Sequence, residues 1–488
     1  MTSLEQSQRI ELEDIFVPVQ GGIVNDVVIN VEPISGITNF TNIVPVTNFA
    51  KFFLNNYPNP NDFYENVSKN LTAAIFHNAE ILGLAGKTNS VSVEMIREPI
   101  SILPYPFVSQ SIQNANGNTE QFTELTIKNL VIPVQGGTIA TANISLDFVD
   151  NVAAFPDITP LANFSQSYLT TYGNPNDFYE KVSQNLAATI SNNPGAFGLQ
   201  GILNSVSVEL GRGPNAALPH PFVVTSIATP GGGLDQIVKV EIEDLFVPVQ
   251  GGTVNDVVLT IDYANSLGTF PDISPVTNFV KSFLSDYPNP NDFYENISKN
   301  VTTAIFNNAA GLGLSGIIDS ISIELSRDPI AILPYSFVSE NTITAAGNNQ
   351  QVVKLELEDL LIPVQGGTVA NGTLTLDFVD NSESFPDITT LANFTKDYLT
   401  NYPNPNDFYE NVSQNLTATV VNNAGAFGLE GKIDSLSLDL ERGPNAGLPH
   451  PFISTSTAIP IAPSNPVLAN SESFEIFPQD FANELAII

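Results

Sequence analysis

Arginine is scarce in this chain of 488 residues, five in all, yet Arg97, Arg212, Arg327 and Arg442 recur at a constant step of 115. A guanidinium presents a rigid fork of donors, so a repeated arginine suits an anion or a purine-like ring. It equally suits a structural role, pairing with a carboxylate near a strand end to hold helix against sheet. Recurrence at every step favours the structural role, because catalytic sites are rarely repeated so evenly. Carboxylates keep the same period. Glu94, Glu209, Glu324 and Asp439 form one set, and Glu32, Asp147, Asp262 and Asp377 a second. Glu11, Glu241 and Glu356, with Glu13, Glu243 and Glu358, begin two more, from which the second repeat departs with Thr126 and Lys128. Carboxylates gathered on one surface cannot all stay ionised without counter-ions, so their pKa values rise or cations enter.

The elements that position these groups follow from the alternation of apolar residues. In SVSVELGR, Val206, Val208 and Leu210 form the apolar set, which predicts a strand packed under helices with Ser205, Ser207 and Glu209 on its other face. The same logic sends Ile144, Leu146 and Phe148 inward and Asp147 outward. Two phrases mark the period. PVQGG places Gln20, Gln135, Gln250 and Gln365 in register, and NPNDFYE places Asp62, Asp177, Asp292 and Asp407. Residues 10–29 match 240–259 at 15 of 20 positions but 125–144 at only 6 of 20, so the repeats alternate A-B-A-B and imply approximate twofold symmetry. Each repeat reads strand, strand, helix, helix, strand, strand. The divisions are a head at 1–9, repeats at 10–124, 125–239, 240–354 and 355–463, and an acidic tail at 464–488. The class is α+β, with a four-stranded antiparallel sheet and two helices on one face in each repeat.

Composition narrows the function. Acids outnumber bases 51 to 16, a net charge of −35, which argues against nucleic acid and anionic membrane surfaces. There is no cysteine, hence no disulfide, thiol catalysis or thiolate metal site. Three histidines are too few for a zinc site in each repeat. His77 reads as a helix C-terminal residue, and His220 and His450 replace Tyr105 and Tyr335 in an aromatic packing position. The NPNDFYE phrase offers oxygens for calcium but lacks the alternating ligands of a calcium loop; its D-x-x-E form predicts a capping box at a helix start. No cofactor is expected. Without a basic-then-apolar leader or a long apolar run, the chain is expected in the cytoplasm, or exported without a cleaved N-terminal signal. The tail, similar to type I secretion signals in its acidity and apolar end, reads either so or as a disordered tail or a strap across the barrel.

From the second helix onward, SVSVELGRGPNAALPHPFV and the DITPLANF phrase resemble the tunnelling-fold (T-fold) superfamily, and within it urate oxidase. The resemblance implies four ββααββ units whose sheets join into one sixteen-stranded barrel with helices outside, and barrels that stack in pairs. It also places the carboxylates on the tunnel wall, so a cation or small molecule is the expected tunnel ligand. The family's cofactor-free oxidation uses a Lys-Thr pair, with an Arg and a Gln clamping the purine. Aligned on Asn48, Asn163, Asn278 and Asn393, the threonine falls on Ile43, Ile158, Ile273 and Ile388, and the helix-start lysine on Thr47, Ala162, Thr277 and Ala392. For the first-strand lysine there are only Lys239 and Lys354, read as lying just before their strands. The expectation is therefore a non-catalytic structural or ligand- and cation-binding barrel; the alternative is a urate oxidase-like enzyme with relocated groups acting on a purine-like substrate.

Overall fold

The computed structural model describes residues 2–13, 15–20, 22–34, 42–97, 105–135, 137–213, 220–243, 245–250, 252–264, 271–328, 335–365, 367–443 and 451–460. His450 and the acidic tail lie outside them. Sixteen strands form a single closed antiparallel barrel, with eight α-helices among the described residues. Every strand pairs with its neighbours in chain order, and the first, Thr2–Leu12, closes the ring against the last, Phe452–Pro460, with Ile10 opposite Phe452. Closure leaves the barrel no edge to template aggregation.

The third repeat shows the order. Leu234–Ile242 pairs with Asp256–Tyr263; helices Ser274–Ser285 and Tyr294–Asn307 follow; then Ile318–Arg327 and Ser336–Thr344 return. Between the first two strands lies an element the sequence reading lacks. Val247–Val249 and Gly252–Val254 make a small separate hairpin, repeated at each PVQGG phrase. Three-residue strands are too short to show alternation, so they read as the run-out of a longer strand. The residues expected as an N-terminal head belong instead to Thr2–Leu12, since barrel closure requires a full-length partner for Phe452–Pro460. Likewise Thr119–Ile127 spans the boundary drawn between 124 and 125.

Alternation settles which face packs. Val206, Val208 and Leu210 are fully buried, as are Val67, Leu71 and Ile75, which stand four residues apart along one helix face. Ser205, Ser207 and Glu209 are half-buried on the opposite face, which lines the bore; sixteen strands leave such a bore wide enough for water. Lys239 and Lys354 lie inside their strands rather than before them, on this bore face, while Val238, Val240, Val353 and Leu355 face the helices. The A-B alternation is visible in the backbone. Short 3-10 helices, Pro194–Phe197 and Ala424–Phe427, occur in the second and fourth repeats, as do left-handed residues Asn129, Asn151, Asp359 and Asn381.

Candidate functional site

The two repeated phrases meet. The backbone N–H of Gln20 donates to the carbonyl of Asp62 at 2.8 Å, and Gln135–Asp177, Gln250–Asp292 and Gln365–Asp407 repeat the bond. The small hairpin is thereby tied to the start of the second helix. That start is not the expected capping box. The helix opens at Tyr64, making Phe63 the N-cap without a side-chain cap, so the phrase sits one residue out of phase. Asp62 instead accepts from the Tyr57 hydroxyl at 2.7 Å and from Asn66 Nδ2 at 2.8 Å, which buckles the two helices together and uses the oxygens a calcium loop would need. Glu65, freed from capping, turns inward.

Glu65, Glu180, Glu295 and Glu410 are all buried, and burial pushes each carboxyl up to about 7. Thr123 donates to Glu65 at 3.5 Å and Gln8 to Glu410 at 2.7 Å; Glu295 Oε1 has no hydrogen-bond partner among the described residues. The arginines lie beside them. Arg97, Arg212 and Arg327 each donate from Nη2 to a backbone carbonyl eight residues on, at 2.8, 2.8 and 2.9 Å. Each guanidinium also lies between two rings, Arg212 at 5.8 Å from Tyr179 and 5.7 Å from Phe222. Arg442 is held the same way by Tyr409 and Phe452. The expected carboxylate partner acts through space: Glu65 and Glu180 favour the charged forms of Arg97 and Arg212 against burial, which lowers their pKa values.

These groups line clefts where one repeat meets the next. Between the first and second repeats, Tyr64, Glu65 and Arg97 face Asp157, Ile158 and Thr159 across a cavity of about 250 Å³. Between the second and third, Glu180, Arg212 and His220 face Asp272, Ile273 and Lys281 across about 430 Å³. The second volume lies within the roughly 300–1,000 Å³ of small-molecule sites, and the first falls just short of it. Sequence reasoning found the arginines but missed the carboxylates and the seam itself, because a cleft joining Glu65 to Asp157 unites residues far apart in the chain.

The tunnel carboxylates occupy the bore face. Asn143 donates to Glu209 at 2.8 Å, Asn204 to Asp147 at 2.6 Å, Ser90 to Glu32 at 2.5 Å and Gln350 to Asp377 at 3.3 Å. Burial holds Glu94, Glu324, Asp439, Asp147, Asp262 and Asp377 above the ordinary carboxylate range. The wall is less uniformly acidic than the period suggests. Arg9 bonds Glu11 at 3.0 Å, Lys239 stands 3.9 Å from Glu241, and Lys239 and Lys354 partly offset the charge near Glu324. In the second repeat Glu124 holds the register of those bases, and burial and then Glu209 raise its pKa. Among the described residues, no group of three or more acids and histidines could hold a metal ion, and no helix is long and apolar enough to cross a membrane.

No protein-family model, curated protein or solved structure gives a significant match to this chain.

Proposed function

We propose that this chain is a non-catalytic barrel of tunnelling-fold type, four ββααββ units long, that binds small molecules at the seams between its repeats. The observation that carries the reading is the 430 Å³ cleft in which Arg212, the buried carboxyl of Glu180 and His220 converge within apolar walls. Two features weigh against the oxidase alternative. Ile158 and Ile273 line the clefts where the resembled family has its threonine, and an isoleucine cannot relay a proton. Lys239 faces the bore, whereas its neighbour Val240 reaches the cleft, so no first-strand amine serves the seam. Urate incubated with the chain should show neither absorbance loss nor oxygen uptake; steady consumption that scales with protein concentration would overturn the reading.

A ring-stacked pair of barrels is part of the same proposal. Phe16, Val131, Phe246 and Leu361 hold one register, follow the first strand of each repeat and are 71, 82, 80 and 84% exposed. All four first strands run the same way, so these side chains crown one rim of the barrel. A self-complementary twofold contact between two crowns would cover them. Sedimentation of the parent should report a dimer, and replacing all four with serine should give a monomer of unchanged melting temperature. A monomeric parent would remove this part of the proposal.

A further inference from the structure

We propose that the four seams are not equivalent: tyrosine latches the two A-to-B seams, while the histidine seam between the second and third repeats is the ligand seat and takes a small, singly charged anion with an apolar body. This rests on the reading of the seams as binding sites.

The latch is a single register. Tyr105 donates its hydroxyl to Gln166, on the first helix of the following repeat. Tyr335 does the same to Asn393 Oδ1 at 2.6 Å, with Lys396 Nζ 5.7 Å from its ring centroid. Each bond joins one repeat to the next across its seam. At the second seam the register holds His220, whose Nδ1 has no hydrogen-bond partner among the described residues although the residue is only 9% exposed. Lys281 occupies the register of Gln166, and the cavity is larger, 430 against 250 Å³. A buried, unpartnered ring nitrogen is costly unless something fills the space before it.

Charge sets the class of occupant. The groups facing the cleft are Glu180 from the second helix, Arg212 from the third strand, His220, and Asp272 and Lys281 from the next repeat. Burial, then Lys281 and Arg212, push the His220 pKa down, so the imidazole is neutral. Asp272 is engaged by the Ser274 N–H at 2.9 Å. Below pH 7, where burial keeps the Glu180 carboxyl mostly protonated, two cations stand against one carboxylate. Phe178, Phe222, Val240 and Ile273 supply the apolar wall. A monoanion with a ring or short chain satisfies both parts. The fourth-to-first seam differs again, because Gln8 bonds Glu410 at 2.7 Å where Val238 leaves Glu180 without that partner.

Calorimetric titration of the full chain with benzoate, benzamide and benzylamine tests this. Benzoate should bind at least tenfold more tightly than the neutral or cationic probe. His220→Tyr imports the latch the chain already uses, since Asn278 holds the register of Asn393; it should weaken benzoate at least tenfold without lowering the melting temperature. Tyr335→His, in the seam where Lys396 holds the register of Lys281, should add a second seat. Benzoate binding untouched by His220→Tyr would overturn the choice of seam but not the seam reading, and equal binding of benzamide would overturn the anion. No heat from any probe, in the parent or in Tyr335→His, would overturn the seam reading together with this inference.

Discussion

A β-carbon placed on Gly252 would stand 2.9 Å from Cδ of Arg327 and 3.1 Å from the Tyr294 hydroxyl, on a backbone at φ +156°. The small hairpin thus presses on the arginine and tyrosine whose counterparts Arg97 and Tyr64 line the first seam, and PVQGG ends in glycine here because nothing larger fits. Gly252→Ala should lower stability by about 1–3 kcal/mol, as overpacking and an unfavourable φ act together. Gly316→Ala, at φ +73° with open space around it, should cost only the left-handed backbone penalty, about 1–2 kcal/mol. Denaturation midpoints of the two variants give the comparison.

The second-helix carboxyls predict an unusual pH dependence. Glu65, Glu180, Glu295 and Glu410 are raised by burial to about 7, against 4.5 for the free group. Between those values the folded chain keeps protons that the unfolded chain has lost, so stability falls as pH rises through the window and levels off above it. The full effect is on the order of 3 kcal/mol per carboxyl. Melting temperatures from pH 4.5 to pH 8 should decline, and replacing all four glutamates with glutamine should flatten the curve.

Arg212→Met should lower the melting temperature, because the guanidinium donates to the His220 carbonyl and lies between two rings. A hydrogen bond from a charged donor is worth about 1.5–3 kcal/mol. Unchanged stability with lost ligand binding would make Arg212 a clamp rather than a fastening.

In the bore, burial and then the charge of Glu209 raise the proton affinity of Glu124, which holds the register where other repeats carry Arg9, Lys239 and Lys354. Calcium or spermidine at low ionic strength should raise the melting temperature. Joint replacement of Glu94, Glu209, Glu324 and Asp439 should abolish the response, and Glu124→Gln alone should remove part of it. An unresponsive parent would leave the bore as the wet face of a sheet.

Much of the frame was legible because strand alternation and a fixed period are local signals. Val206, Val208 and Leu210 declare the packed face, and Glu209 follows on the other. The barrel's closure was also within reach, since an even number of strands with no insertion between repeats leaves no edge. What escaped was phase and long-range contact. One residue of phase moves Glu65 from a helix cap to the sheet side of the helix, where it becomes the most perturbed acid of its repeat. Lys239 reads as lying before its strand because clear alternation starts only at Val240, whereas the strand begins at Leu234. The latch was visible only as an aromatic register; that Tyr335 reaches Asn393 depends on the neighbouring repeat's helix, which local sequence does not position. The exposed crown had a signal of its own: Phe16, Val131, Phe246 and Leu361 keep the period with no strand to bury them.

The most direct measurement is an anomalous-scattering map of the full chain soaked with 4-iodobenzoate. The account predicts an iodine peak in the seam bounded by His220, Lys281 and Arg212, and none in the seam latched by Tyr335. An iodine confined to the bore, or one equally occupied in the tyrosine seams, would contradict it.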